Sequence, residues 1–155
     1  MTASGADTVK KRTVRVHEES YREETEMTYY FSTTKKASFE EAVDKVKDEL
    51  KKEGFGILTE IDVKETLKNK LDVDFRKYRI LGACNPPFAY KALQAEDKIG
   101  TMLPCNVIVQ EISDGVIEVA AVDPVASMQA VANPKLASVA SEIQASVVRH
   151  KSLDL

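Results

Sequence analysis

"CNVIVQEISDGVIEVAAV", residues 105–122, is the stretch that decides how this chain folds. Two runs rich in Val and Ile flank Ser113, Asp114 and Gly115. Short β-branched runs joined by turn residues of that kind form a β-hairpin. Working outward, "YRILGAC" (78–84) reads as the preceding strand and "FGILTEID" (55–62) as the one before it. "MTYYFSTT", opened by Met27 and rich in Tyr, Phe and Thr, reads as the first strand.

The segments between strands carry helix signals. Ser38 is followed three residues later by Glu41, the spacing of a capping box in which hydroxyl and carboxylate satisfy unpaired N–H groups. Phe39, Ala42, Val43, Val46 and Leu50 then form one apolar stripe, and Gly54 stops the helix. Asp62 and Glu65 repeat the capping spacing before a short helix through Leu67 and Leu71. Asn85–Pro86, Asp123–Pro124 and Asn133–Pro134 are three further helix starts. Proline suits the first helical position and pushes its predecessor out of the α region, so each Asn or Asp is predicted as an N-cap. The helix after Asn85 carries Phe88, Ala89, Ala92 and Leu93; the last sets Leu136, Val139, Ala140, Ile143 and Val147 on one face. The order is one strand, a long helix, four strands and a closing helix. It predicts an α+β fold: a mainly antiparallel sheet, helices largely on one face, and extra short helices as decorations.

At 155 residues the chain suits one domain, predicted over 27–155. Residues 1–26 mix charges with little apolar periodicity and are expected to be a mobile extension, although "TVRV" within them could form a short strand. A net charge of −3 gives no broad positive field for phosphates, so nucleic acid is not an expected partner. The start lacks the apolar core of a secretory signal and no run is long enough to span a bilayer, so a cytoplasmic protein without a membrane partner is expected. In that compartment Cys84 and Cys105 are expected as thiols.

The segments "SFEEAV" (38–43), "EGFGILTEIDVK" (53–64), "DFRKYRILGACNPPFAYKAL" (74–93), "MLPCNVIVQE" (102–111) and "AAVDPVASM" (120–128) resemble the bacterial and archaeal family known as domain of unknown function 302. The resemblance runs from about Met27 to the end. It implies a β-α-β(4)-α arrangement like the fold of the TATA-box-binding protein, and a tendency to form homodimers. It implies no reaction, and a shared fold with a DNA-binding protein does not transfer DNA binding.

Strand direction locates a site. If the third and fourth strands are antiparallel, the end of one lies beside the start of the other, so Cys84 and Cys105 meet. The hairpin brings Asp123 back to the same rim, where Asn85 and Asn106 join it. These five residues are the candidate ligand-binding set. Cys84 precedes a helix start, which favours a thiolate, but Pro86 and Pro87 remove two of the N–H donors that would stabilise one. Neither His17 nor His150 lies in a catalytic motif, so no catalytic residue is assigned and the question of an enzyme stays open. Two thiols could serve a redox pair or half of a soft-metal site, but "CNPP" offers no second thiol nearby, and no metal ligand or cofactor is named. Asn106 sits in a strand, where asparagine is disfavoured, so its amide is expected to bond something specific. Tyr29, Tyr30, Tyr78 and Tyr90 are expected to be half-buried. The first reading is a non-catalytic small-ligand-binding homodimer with a rim pocket of roughly 300–1,000 Å³. The alternatives are a thiol redox or soft-metal protein, and a purely structural interaction module.

Overall fold

The computed structural model describes residues 28–148; the predicted N-terminal extension, "TVRV", His17 and His150 lie outside them. Five strands form one sheet: β1 (Tyr30–Lys36), β2 (Gly56–Asp62), β3 (Tyr78–Cys84), β4 (Cys105–Ser113) and β5 (Val116–Val122). Their spatial order is β1-β5-β4-β3-β2, and every neighbouring pair is antiparallel. The chain therefore crosses from one edge to the other through α1 (Phe39–Lys52), then returns as a meander. This is the expected α+β architecture.

The apolar stripe of α1 fixes which face it covers. Phe39, Ala42, Val43 and Val46 are buried, and Leu50 packs partly buried against the same core. Leu81, Val107, Val109, Ile117 and Val119 meet them from the sheet. The closing helix α5 (Pro134–Val148) contributes Leu136, Val139, Ala140 and Ile143, and α3 (Pro86–Ala95) adds Ala92. Helices thus cover one face of the sheet. The helix α2 (Val63–Leu71) buries no residue fully and is a decoration on the β2–β3 edge.

Gly54 ends α1 as expected, at φ +81, with Phe55 N–H donating to Leu50 O (2.9 Å) and Gly54 N–H to Lys51 O (3.0 Å). That pair of bonds is a Schellman turn, and a positive φ is where glycine is favoured. The start of α1 differs from the capping box. Ser38 Oγ donates to Glu41 Oε2 (2.7 Å), and its side chain caps no backbone N–H. The acid at that spacing is a stronger acceptor for the hydroxyl, so the two side chains satisfy each other. At α2 the expected cap does form, Glu65 N–H donating to Asp62 Oδ1 (2.9 Å). The first strand begins at Tyr30.

Beneath α1, Arg79 ties the edge of the sheet together. Its guanidinium donates to Glu60 (2.7 Å), Glu40 (3.3 Å) and Asp62 (3.4 Å). Lys47 also pairs with Glu60 at 2.6 Å, and chiefly for that reason the Glu60 carboxyl is held below its ordinary range.

Candidate functional site

The register confirms the geometry on which the rim depends. Ala83 pairs with Cys105 and Gly82 with Asn106, so the end of β3 lies beside the start of β4. Cys84 and Cys105 line the same small cavity, together with Phe55, Phe88 and Ile143. Burial pushes the Cys105 thiol up to about 11, and a charge on Cys84 would push it the same way. Cys105 is therefore a neutral thiol at pH 7, and thiolate chemistry there is suppressed.

Of the other three candidates, Asn85 lines that same cavity, whereas Asn106 and Asp123 do not. Successive residues of a strand face opposite sides. Cys105, Val107 and Val109 alternate toward the helices, with both valines buried, which turns Asn106, Ile108 and Gln110 to the uncovered face. The Asn106 amide makes no hydrogen bond among the described residues, contrary to expectation, because that face carries no packed layer. Asp123 does lie at the end of β5, but its carboxylate is engaged. Oδ1 accepts from Val125 N–H (2.9 Å) and Ala126 N–H (3.4 Å), and Gln144 Nε2 donates to both oxygens (3.1 and 3.2 Å). It caps α4 (Pro124–Met128) and holds α5. Asn133 likewise caps, accepting from Lys135 N–H (3.1 Å). Asn85 occupies the N-cap position of α3 without making that bond. Its partner would be the N–H of the second or third helical residue, and the second is Pro87. The Asn85 amide instead donates to Glu53 O at 3.4 Å, bracing the turn after α1.

A cavity of about 310 Å³ lies between α1 and the end of β1, lined by Lys35, Lys36, Glu41 and Lys45, away from the candidate residues; the cavities beside those residues differ in size. The space between Cys84, Cys105 and α3 is about 20 Å³, and that between the sheet, α1 and α5 about 60 Å³. Both fall well short of the roughly 300 Å³ at which ligand pockets begin. A groove of about 650 Å³ lies across the uncovered face. Its floor is Ile108, Ala120 and Val122; Tyr30 and Tyr78 line it, with Asn106, Gln110 and Glu118 as polar groups. Gln110 Nε2 donates to Glu118 Oε1 (2.7 Å), and Arg76 Nε donates to Gln110 Oε1 (2.7 Å), so this end of the groove is fixed by a chain of bonds. Arg76 also lies over the Phe75 and Tyr78 rings, at 4.5 and 5.4 Å. Tyr29 and Tyr90 are well exposed rather than half-buried, at 69% and 65%.

Gly82 shapes the groove wall. A β-carbon there would overlap Thr59 Oγ1 and stand 2.9 Å from Pro104 Cγ, so only glycine lets these two close over β3. Sequence reasoning pointed to Asn106 and missed Gln110 and Glu118. The available signal was the alternation along β4 and β5, which places all three on the face opposite the buried valines.

Among the described residues, no group of three or more His, Cys, Asp or Glu side chains is placed to hold a metal ion. No helix among them is long and apolar enough to cross a membrane. No curated protein matches the chain. The crystal structure of an uncharacterized conserved protein DUF302 from Bacillus stearothermophilus is similar, with 26% sequence identity and a TM-score of 0.72. The match covers 79% of this chain and 94% of that one. The family model described as "Domain of unknown function DUF302" matches residues 31–150, so this chain belongs to that family.

Proposed function

We propose that this chain is a non-catalytic, cytoplasmic small-ligand-binding domain that works as a homodimer, and that its ligand lies in the groove on the uncovered face of the sheet. One observation carries the reading: an apolar floor with a few fixed polar groups, in a volume of about 650 Å³. That combination is what small-molecule sites share. Of Cys84, Asn85, Cys105, Asn106 and Asp123, we assign Asn106 to the ligand, since its amide is unbonded and lines the groove. The two thiols serve as packing. Glu118 lines the groove and Arg76 braces its end through Gln110, so the two charges offset each other, which supports an uncharged ligand and disfavours nucleic acid.

The test uses N-phenyl-1-naphthylamine, an uncharged fluorescent probe, titrated into the purified protein, with native mass spectrometry of the protein as isolated from cells. Saturable probe binding is expected, weakened roughly tenfold or more by Ala120→Phe, which fills the floor. Absence of saturable binding, or binding indifferent to Ala120→Phe in a folded protein, overturns the proposal.

A further inference from the structure

The cavity between α1 and the end of β1 opens on the covered side of the sheet. Lys35 of β1 pairs with Ile117 of β5, and directly paired residues share a face. Ile117 is buried in the core beneath the helices, so Lys35 lies half-buried on that same face at the sheet edge. The facing wall comes from α1, where Ala42 is buried and Glu41 and Lys45 stand one turn apart. Lys36 completes the rim.

The charge of this lining runs against that of the chain. The protein carries a net −3, yet three ammonium groups against one carboxylate leave the cavity a surplus of two positive charges. Among the described residues, the ammonium groups of Lys35, Lys36 and Lys45 form no ion pair or hydrogen bond, whereas Lys47, two residues further along α1, pairs with Glu60 at 2.6 Å. Glu41 precedes Lys45 at the spacing of a helical ion pair, but its carboxylate accepts from the Ser38 hydroxyl (2.7 Å) instead. Lysines on an edge strand guard it against pairing with another sheet, which accounts for Lys35 and Lys36. It does not account for Lys45, which belongs to a helix and lines the same cavity.

We propose that this cavity is a second ligand site, independent of the groove, and that it takes a small organic phosphate, with the phosphoryl group among the three lysines and the organic part against Ala42 and Ile117. A phosphate monoester carries a charge of about −1.5 to −2 at pH 7, which matches the surplus. Lysine meets a phosphate as a point charge and lacks the planar fork that arginine offers a carboxylate. The volume of about 310 Å³ is more than a phosphoryl group alone fills and reaches the size at which small-molecule sites begin. Two buried apolar side chains wait for the remainder. Nucleic acid needs cations ranged along its backbone, whereas three lysines converging on one cavity suit a single phosphoryl group.

The experiment is isothermal titration calorimetry of the full chain with phenyl phosphate at low ionic strength, with circular dichroism to confirm that each variant folds. Saturable binding of one molecule per chain is expected, weakened roughly tenfold by Lys35→Gln and by Lys45→Gln, as loss of a bond to a charged group implies. Glu41→Gln keeps an acceptor for Ser38 and removes the opposing charge, so it should tighten binding roughly threefold or more. Lys70→Gln makes the same charge change on α2, at the opposite edge of the sheet, and should leave binding within about twofold. Phenol and benzoate lack the dianion and inorganic phosphate lacks the apolar body, so each should bind more weakly than phenyl phosphate. Absence of saturable binding, equal weakening by Lys70→Gln, no tightening by Glu41→Gln, or a control that binds as tightly as phenyl phosphate overturns the proposal. Displacement of phenyl phosphate by N-phenyl-1-naphthylamine would place it in the groove and overturns the proposal too; failure of that probe to bind leaves this site standing and refutes the groove alone.

Discussion

Replacing Asp123 with alanine separates a cap from a ligand. Its carboxylate accepts from Val125 and Ala126 N–H at the start of α4 and from Gln144 Nε2 on α5. Loss of an N-cap costs about 1 kcal/mol. Loss of a hydrogen bond to a charged acceptor costs about 1.5 kcal/mol more. Asp123→Ala should therefore destabilise the fold by about 2.5 kcal/mol, which for a chain of this size lowers the melting midpoint by roughly 5–10 °C. Asp123→Asn keeps a capping oxygen and should lose less than half as much. Urea denaturation at pH 7 reads the change as a shift in midpoint at unchanged slope. Gln144→Ala closes a double-mutant cycle, with an expected coupling to Asp123→Ala of about 1 kcal/mol. A coupling near zero refutes the bond to α5. Weaker probe binding by Asp123→Ala at unchanged stability refutes the capping role and returns Asp123 to the ligand set.

Gly82→Ala should destabilise by about 1–3 kcal/mol, as overpacking does, because neither the β-branched Thr59 nor the Pro104 ring can withdraw easily. Urea denaturation measures the cost, and Thr59→Ala in the same background, which removes the crowding hydroxyl, should recover part of it, the Pro104 ring accounting for the rest. A neutral Gly82→Ala would show that the wall is loose. For Cys105, the folded thiol titrates at about 11 against an ordinary 9.0, so above pH 9 the unfolded chain loses this proton first. Stability is thus full below pH 9 and falls as pH rises from 9 toward 11, by on the order of 2–3 kcal/mol. Cys105→Ala should remove that part of the alkaline decline, and in the folded wild type Cys105 should alkylate at pH 7 more slowly than a free cysteine; rapid labelling would contradict the burial.

Where local chemistry had one solution, the sequence disclosed it. Two branched runs around Ser113–Gly115 could only pair with each other, and the stripe from Phe39 to Leu50 had one buried side. Gly54 had to end α1 because a left-handed residue was needed there. Local chemistry misled where a side chain had a second option. Ser38 turned to Glu41, and Asn85, deprived of a donor by Pro87, turned to Glu53. The approach of the end of β3, with Cys84, to the start of β4, with Cys105, followed from chain direction alone, whereas the place of β1 beside β5 did not.

Direction fixes which end of a strand a residue occupies, but not which face it shares. Cys105 and Asn106 are neighbours in the chain and stand at one end of β4, yet a period of two sends them to opposite sides of the sheet. Nor does composition distinguish those sides within β4: Val107 and Val109 are buried, while Ile108, as apolar as either, faces the groove. Only the placement of α1 and α5 over one face decides that Ile108 is uncovered. Once they are placed, an isoleucine on the open side acquires meaning, and its alignment with Ile61, Ile80 and Ala120 depends on residues drawn from four strands through long-range register. A search for reactive side chains passes over such a surface. Its signal is apolar area without a cover, which exists only after the layers of the fold have been assembled.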